Sequence, residues 1–453
     1  MKPRNMTDVA RAVDGLRVGA EAEISSIATD SREVVPGCLF VALPGDRVDG
    51  HRFVTEAFER GAAGVMVRDG FRAEGSAVWV RSTNEALLRL AADERGRTDA
   101  TVVGITGANG KTSTKDMAAE VCRTRLRTHA SPASFNNEIG LPVTLLSAPP
   151  DAQVIVAEMG ARHPGDVRLL CDVARPSIVV VTNVGVAHLE IFGSWEAIVA
   201  AAAEPVEWTG DDGVAILSTD DPVVAAMAER CRGKVVTFGT GTGADVRGEE
   251  VHLDRDGAAS FLLAHEGERE PVTLCVPGEH MVGDALAAAA IGLQLGIPTA
   301  VCAEGLGRAT VSDWRMETFT SPDGVRVVND AYNANPESME AALRTARWMA
   351  GDARLIAVLG TMAELGPIAV AAHERLGELA ARLRVNRLIT VGAQAELIAI
   401  AGMREGVEPD NVASYGDPED ALADVRAHAA PGDVVLFKGS RVTGLERIAE
   451  RLR

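Results

Sequence analysis

The residues best suited to chemistry form one short stretch, in which a Lys-Thr pair follows a glycine loop. The loop is Gly107-Ala-Asn-Gly110 and the pair is Lys111-Thr112. The β-branched residues 101–106 predict a buried strand, and the pattern from Lys111 onward predicts a helix. In such a segment backbone N–H groups converge on phosphate, the lysine reaches the β- and γ-phosphates, and the threonine hydroxyl binds Mg²⁺. The stretch therefore predicts a nucleotide site.

The loop is shorter than the usual P-loop spelling. The first glycine is expected at the position of Ile105, whereas the first glycine here is Gly107. A plain strand-to-helix turn is the structural alternative. The strand before the loop and the helix after it favour nucleotide binding.

Two more polar side chains follow predicted buried strands. Glu158 ends the run 154–158, where a carboxylate beside a P-loop can bind Mg²⁺ directly or through water. His188 follows the run 178–184 and is a candidate for a metal or phosphate contact. The structural alternatives are an ion-paired or helix-capping carboxylate and a structural histidine.

Two polar runs in the last third of the chain are further candidates. In residues 329–336, Asn335 is predicted to cap a helix whose first residue is Pro336, which leaves Asp330 and Asn333 for ribose, phosphate or substrate. In residues 438–441, two cations beside a turn could hold a carboxylate or phosphate; a solvated loop is the alternative.

Composition excludes several classes of protein. The 453 residues are 47% hydrophobic, enough for full cores, and the formal net charge of −19 argues against nonspecific binding of nucleic acid. The first residues lack the apolar core of a signal peptide, and no apolar run predicts a membrane span. The cysteines are scattered and predict reduced thiols in a cytoplasmic protein: Cys38, Cys122, Cys171, Cys231, Cys275 and Cys302.

The chain divides into three predicted α/β domains, residues 1–98, 99–312 and 313–453. In the first, residues 24–32 and 38–43 predict strands, and residues 93–99 predict a linker. Alternating strands and helices in the second predict a doubly wound, mostly parallel sheet, with a small antiparallel sheet over residues 246–276. The third repeats the alternation and predicts a Rossmann-like domain.

Segments spread over nearly the whole chain resemble the Mur ligase family, in the family's order. They are Thr29-Asp-Ser-Arg32, Gly37-Cys-Leu-Phe-Val-Ala-Leu43, Thr106-Gly-Ala-Asn-Gly-Lys-Thr112, Phe135-Asn-Asn-Glu-Ile-Gly-Leu-Pro142, Ala157-Glu-Met-Gly160, Asn183-Val-Gly-Val-Ala-His-Leu-Glu190, Asn329-Asp-Ala-Tyr-Asn-Ala-Asn-Pro336, Leu359-Gly-Thr-Met-Ala-Glu-Leu-Gly366 and Lys438-Gly-Ser-Arg441.

The resemblance implies a monomeric, ATP- and Mg²⁺-dependent ligase that joins UDP-muramoyl-tripeptide to D-alanyl-D-alanine through an acyl phosphate. It implies catalytic roles for Lys111, Glu158 and His188, and metal contacts from Thr112, Glu158 and His188. The implied nucleotide contacts are Gly107, Asn109, Gly110, Lys111, Thr112, Ser113, Asn183, Arg315 and Asp330. The implied substrate contacts are Ser31, Arg32, Phe135, Asn136, Asn137, Asn333, Asn335 and Arg441.

Two departures from the family pattern bear on function. Ala202 stands where the family carries a carbamoylated lysine that holds a second Mg²⁺, and Met281 and Asp284 replace two asparagines, the second near the adenine. The departures leave open a working ligase whose second metal is held by Glu190 or Glu204, a divergent ligase for another acid and amine, and a nucleotide-binding pseudoenzyme.

A P-loop kinase or a regulatory ATPase is the alternative from another class, and the matching first and third domains argue against it. Folylpolyglutamate synthetases share the central part of the pattern. The segment 29–32 does not fit them.

Overall fold

The first part of the chain forms a small α/β sheet. The computed structural model describes residues 1–45 and 48–453. The elements are β1 (Arg4–Asn5), α1 (Met6–Val13), β2 (Leu16–Val18), β3 (Glu23–Ile24), β4 (Ser26–Ala28), β5 (Cys38–Val41), α2 (Val54–Glu59), β6 (Gly64–Arg68), β7 (Ala77–Val80) and α3 (Thr83–Arg95). Strands β4, β5, β6 and β7 pair in parallel, β2 pairs antiparallel with β7, and β1 and β3 form a separate ribbon.

Two predictions for this part are wrong in detail. The single strand predicted over residues 24–32 is broken into β3 and β4, and a 3₁₀ turn follows at Ser31–Glu33, where the Asp30 side chain accepts from the Arg32 N–H at 2.9 Å. The linker predicted from residue 93 begins later, because α3 continues to Arg95. Arg4 pairs with Asp93 at 2.9 Å and with Glu94 at 2.5 Å, and thereby holds the polar end of the helix in place.

The central part forms a long, mostly parallel sheet. Its elements are β8 (Thr101–Thr106), α4 (Lys111–Arg123), β9 (Thr128–Ala130), α5 (Gly140–Ser147), β10 (Val154–Glu158), α6 (Asp166–Ala174), β11 (Ile178–Val181), α7 (Leu189–Phe192), α8 (Trp195–Trp208), β12 (Val214–Ser218), α9 (Pro222–Ala226), β13 (Lys234–Gly239), β14 (Val246–Leu253), β15 (Ala258–His265), β16 (Glu268–Pro277), α10 (Met281–Gln294) and α11 (Thr299–Arg308). The strand order is β16-β15-β14-β13-β12-β11-β8-β10-β9.

The predicted doubly wound sheet is confirmed, and so are the antiparallel strands. Strands β14, β15 and β16 pair antiparallel with one another, but they extend the main sheet instead of standing apart. The junction is short: β13 and β14 pair in parallel through Phe238↔Val246 and Gly239↔Arg247.

The third sheet has the order β17-β18-β22-β19-β20-β21 and is parallel except at β17. Its elements are β17 (Glu317–Thr320), β18 (Arg326–Asn329), α12 (Pro336–Ala350), β19 (Leu355–Gly360), α13 (Ala369–Arg382), β20 (Arg387–Val391), α14 (Glu396–Arg404), β21 (Val412–Tyr415), α15 (Pro418–His428), β22 (Val434–Lys438) and α16 (Leu445–Glu450). The alternation matches the predicted Rossmann-like arrangement.

Strand order brings the candidate residues to two sheet edges. In the central sheet β8 lies between β10 and β11, so the glycine loop, Glu158 and the loop that contains His188 leave the same edge. In the third sheet β18 pairs with β22, which places Asp330 beside Lys438. Across the described residues, no helix is long and apolar enough to cross a membrane.

Candidate active site

The glycine loop has a backbone that other residues would not tolerate. Gly107 has φ +139° and Gly110 has φ +80°, the left-handed region where a Cβ is costly. A Cβ on Gly107 would overlap Thr182 Oγ1, and one on Gly110 would overlap Asp284 Oδ1. Gly110 is the residue before the first turn of α4, so the loop delivers the chain directly into a helix N-terminus. This backbone geometry fits the phosphate cradle that the sequence predicts.

The Lys111 ammonium is folded back into that cradle. Its Nζ donates to the carbonyl oxygens of Gly107, at 2.7 Å, and Ala108, at 3.2 Å. Burial lowers the pKa of Lys111, the Glu158 carboxylate works to raise it, and Arg315 lowers it further. A phosphate would offer this cation stronger, charged acceptors than the two carbonyls do.

Thr112 and Glu158 converge as the sequence predicts. The Thr112 hydroxyl donates to Glu158 Oε2 at 2.8 Å, and the Glu158 side chain is almost fully buried. Asn136 donates from Nδ2 to the other oxygen, Oε1, at 2.8 Å. A hydroxyl and a carboxylate beside a phosphate cradle fit Mg²⁺, which prefers oxygen ligands and takes the remainder from water and phosphate. Among the residues described, no three His, Cys, Asp or Glu side chains cluster as a self-sufficient metal site.

Asn109 connects the loop to the neighbouring strand end of the central sheet and to the third part of the chain. Its N–H donates to Asn183 Oδ1 at 2.8 Å, and its carbonyl accepts from Asn183 Nδ2 at 3.0 Å. Asn335 donates from Nδ2 to Asn109 Oδ1 at 2.8 Å. Asn335 also caps α12, because its Oδ1 accepts from the Ser338 N–H at 2.9 Å and Pro336 takes the first helical position. The predicted cap is confirmed.

His188, which follows β11 of the central sheet, contacts a residue of the third part of the chain. Its Nδ1 bonds to Glu364, and Arg162 pairs with the same carboxylate at 2.5 Å. Burial works to raise the pKa of Glu364, but the bonds from His188 and Arg162 lower it overall. Glu364 lies within the family-like segment 359–366, and nothing local in the sequence links it to His188.

The neighbourhood of Ala202 does not fit a second Mg²⁺ held by a carbamate. Ala202 packs against an apolar cluster beneath α8. Both carboxylate oxygens of Glu204 are taken by backbone N–H groups at the start of α6, from Gly165 at 2.6 Å and Arg168 at 2.8 Å. Of the two expected replacements for the missing lysine, Glu190 and Glu204, the second has its carboxylate committed to capping a helix.

The buried Lys438 pairs with the half-buried Asp330 in the third sheet. Lys438 Nζ lies 2.6 Å from Asp330 Oδ2 and also donates to the Asn333 carbonyl at 3.1 Å. Asp330 Oδ1 accepts from the Met316 N–H at 3.1 Å. The Lys438 ammonium of residues 438–441 thus holds a carboxylate, and that carboxylate comes from the chain itself. The Asn333 side chain is exposed.

Two arginines pack against aromatic rings at the same edge of the third sheet. The Arg315 guanidinium lies 4.2 Å from the centre of the Tyr332 ring, and that of Arg441 lies 4.3 Å from the centre of the Trp314 ring. The Arg315 Nε is buried without a hydrogen-bond partner among the described residues. Tyr332 in turn bonds through its hydroxyl to Ser134 of the central part. The two rings have no role in the sequence prediction.

Asp284 lies against the phosphate cradle. Its side chain packs on Gly110, and Oδ1 accepts from the Thr114 hydroxyl at 3.3 Å. Burial raises the pKa of Asp284 to about 7, against the effects of Thr114 and Arg315. Met281 and Ser113 are buried nearby on α10 and α4.

The remaining predicted residues divide into exposed and structural ones. Arg32 is exposed and pairs with Asp30 at 2.5 Å, a contact that lowers the pKa of Asp30 to about 2, and Phe135 is 41% exposed. Ser31 is buried and donates to Glu56 at 3.2 Å. Asn137 accepts from the N–H groups of residues 139 and 140 and so starts α5. Arg32, Phe135 and Asn137 of this group are exposed, whereas Ser31 is buried.

A glycine cradle, Lys-Thr and a carboxylate on the neighbouring strand define a P-loop nucleotide-binding protein. Family models match three stretches of the chain: the Mur ligase family catalytic domain over residues 23–95, the Mur ligase middle domain over 105–292 and the Mur ligase glutamate ligase domain over 314–441.

Named relatives match nearly the full length of the chain. The UDP-N-acetylmuramoyl-tripeptide–D-alanyl-D-alanine ligase of Mycobacterium tuberculosis is 40% identical over 94% of this chain and 92% of its own. The crystal structure of MurF from Acinetobacter baumannii superposes with a TM-score of 0.89 at 30% identity, over 100% of this chain and 99% of that one. The MurF ligase of Thermotoga maritima in complex with ADP gives a TM-score of 0.81 at 28% identity, over 94% and 96%.

The chain belongs to the Mur ligase family. It is therefore an ATP-dependent acid–amino-acid ligase.

Proposed function

We propose that the chain joins D-alanyl-D-alanine to UDP-N-acetylmuramoyl-tripeptide in the cytoplasm, as a monomer and at the expense of ATP. Full-length similarity to ligases of that name supports the substrates. One observation carries the proposal. The bonds that Thr112 and Asn136 donate to Glu158 connect the phosphate cradle directly to the segment with the implied substrate contacts.

Each of the three parts of the chain has one task. Residues 1–98 hold the UDP end of the muramoyl-tripeptide, with Arg32 facing solvent for that purpose. Residues 99–312 hold ATP and Mg²⁺. Residues 313–453 receive the dipeptide, with Arg441 as the cation for its carboxylate and Arg315 and Asp330 near the nucleotide.

The reaction has two steps. A carboxylate oxygen of the tripeptide attacks the γ-phosphorus of ATP, the bond to the β–γ bridging oxygen breaks, and ADP leaves. The amine of D-alanyl-D-alanine then attacks the acyl carbon, phosphate leaves with the bonding electrons, and the amine loses a proton. Both steps bring anions together, so positive charge and positioning supply most of the catalysis.

The residues of this site can supply both the positive charge and the positioning. Lys111 would exchange its bonds to the loop carbonyls for bonds to the β- and γ-phosphates. Thr112 and Glu158 would hold Mg²⁺, which neutralises charge on the transferred phosphoryl group when bound. The contacts of Asn335 with Asn109 and of Glu364 with His188 close the third sheet over the site and exclude water from the acyl phosphate. No step is assigned to a second metal at Ala202.

The test is phosphate release from ATP with UDP-muramoyl-tripeptide and D-alanyl-D-alanine added singly and together. Release that needs both substrates, with the ligated product found by mass spectrometry, is the expected result. Release with the tripeptide and a different amine would indicate a divergent ligase.

Bound ATP without release under any condition would indicate a pseudoenzyme. Restoring lysine with Ala202→Lys then shows whether the alanine alone disables the site. Lys111→Met is the matched negative control, since it keeps the length of the side chain and removes the charge.

A further inference from the structure

A second lysine of α4 is buried, although its charge has no part in the site described above. The side chain of Lys115 is 1% exposed, four residues after Lys111. A buried ammonium persists only where bonds replace its lost hydration. The groups that accept hydrogen bonds from Lys115 therefore indicate why this charge is buried.

Lys115 holds the start of the segment of residues 131–137, which is called the acceptor segment below. Its Nζ donates to the carbonyl oxygens of Ser131, at 2.9 Å, and Ala133, at 2.5 Å. Ala133 has φ +43°, an unfavourable backbone for a residue with a Cβ. The ammonium thus fixes a turn that would not be stable by local preference alone.

The acceptor segment supports the magnesium ligand from two positions. The Ser131 hydroxyl accepts from the Glu158 N–H at 3.2 Å, and Asn136 donates to Glu158 Oε1 at 2.8 Å. The backbone of Asn136 also accepts from the Gly160 N–H at 2.7 Å. A shift of the segment would therefore displace the carboxylate and the implied substrate contacts together.

The neighbouring aspartate extends this connection to the third sheet. Asp116 Oδ1 lies 2.9 Å from Lys115 Nζ, while Oδ2 accepts from the N–H of Ser312 at 2.8 Å and from its hydroxyl at 2.7 Å. Ser312 belongs to the connection between α11 and β17. One ion pair on the nucleotide-binding helix thus contacts both the acceptor segment and the chain that leads to the third sheet.

We propose that Lys115 and Asp116 are positioning residues that set the acceptor segment relative to the phosphate cradle. The pair makes the position of the tripeptide carboxylate depend on the helix that holds ATP and on the approach of the third sheet. This rests on the proposed function, in which the acceptor segment binds the muramoyl-tripeptide. Neither residue has a bond to the loop 107–110 in the described structure, so ATP binding itself stays intact.

Lys115→Met tests the pair, because it keeps the apolar length and leaves two carbonyls without a donor. We expect KM for UDP-muramoyl-tripeptide to rise about tenfold or more, since misplacement by about 1 Å is enough for such losses. Measured without Mg²⁺, the dissociation constant of ATP should stay within about twofold of the wild-type value, because the loop 107–110 keeps its contacts. Lys234→Met, on an exposed lysine bonded to Gln294, is the matched control and should change neither value.

Asp116→Asn keeps an acceptor for Ser312 and removes only the ion pair, so it serves if Lys115→Met fails to fold. Its KM for the tripeptide should rise less, in the same direction. Equal rises in KM for the tripeptide and in the dissociation constant of ATP would indicate general destabilisation and overturn the proposal.

Hydrogen exchange separates this proposal from the proposed function, because it needs no substrate. Amides of residues 131–140 should exchange faster in both variants than in the wild-type chain, while those of 102–106 should not. Unchanged exchange at 131–140 would overturn the positioning role, whatever the wild-type chain ligates. Faster exchange in a chain that ligates nothing would instead contradict the proposed function alone.

Discussion

At the scale of single residues, Ala202 and Asp284 distinguish this site from the family pattern. Ala202 packs with apolar neighbours, and Asp284 puts a carboxyl against the phosphate cradle. Ala202 determines whether the enzyme needs dissolved carbon dioxide, and Asp284 determines how its stability depends on pH.

Removing carbon dioxide should leave the activity unchanged. A carbamate forms only on an amine, and Ala202 offers none. Ligase rates in degassed buffer and in a bicarbonate series, compared at fixed pH, give the measurement. A rate that climbs with bicarbonate would mean that another lysine is carbamoylated.

Asp284→Asn should stabilise the protein at alkaline pH and much less at acid pH. The pKa of Asp284 is raised to about 7 from 3.8, so the folded state binds its proton more tightly than the unfolded state does. The carboxyl therefore costs little below about pH 4, and its cost grows as pH rises toward 7 and is complete above it. Between about pH 5 and pH 8 the wild-type chain should lose on the order of 2–3 kcal/mol relative to the variant.

Denaturant unfolding of both chains at the two pH values measures this difference. Parallel stability curves for the two chains would show that Asp284 titrates near its ordinary range.

At the scale of elements, α12 and α4 begin at positions that also serve the nucleotide. Asn335 both caps α12 and donates to Asn109 in the glycine loop. The cap is a local property that the sequence predicts, whereas the contact with the loop requires the third sheet to lie over the central one.

Asn335→Ala should lower the free energy of unfolding by about 1 kcal/mol through the lost cap. It should also raise KM for ATP, because Asn109 loses its partner. Asn335→Ser should restore most of the stability, since serine caps well, but not the KM. Asp417→Ala, which removes the N-cap of α15, should cost similar stability and leave KM for ATP unchanged. Urea unfolding and steady-state kinetics decide between these outcomes.

At the scale of the whole molecule, the central and third sheets meet through polar contacts that surround the nucleotide site. They include the bonds from His188 and Arg162 to Glu364 and the Lys115–Asp116–Ser312 connection. Such contacts are individually weak when partly exposed, so they suit a surface that opens and closes in each cycle.

Glu364→Ala should lower kcat about tenfold and raise ATP hydrolysis in the absence of the dipeptide, because a less closed site admits water to the acyl phosphate. Glu374→Ala, which breaks a pair with Arg404 inside the third part at 3.3 Å, is the matched control and should change neither rate. Phosphate release with the tripeptide alone is the informative measurement. Unaltered hydrolysis in Glu364→Ala would show that this contact does not guard the intermediate.

The sequence by itself determined the phosphate cradle, the strands around it and the cap of α12. Each depends on local properties: glycines where φ is positive, β-branched residues in buried strands, and a short polar side chain before proline. The residues Thr112 and Glu158 could be paired from sequence because parallel strands deliver their carboxyl ends to one edge.

Only the tertiary structure decided which polar groups are free and which are committed. The Lys438 ammonium pairs with Asp330, and the Glu204 carboxylate accepts from backbone N–H groups at the start of α6. The Lys115 ammonium donates to carbonyl oxygens of the acceptor segment. The partners of His188 and Asn109 stand 176 and 226 residues away in the chain. No local pattern encodes such pairs, because their energy depends on burial and on the packing of whole sheets, which arise only when the chain is folded.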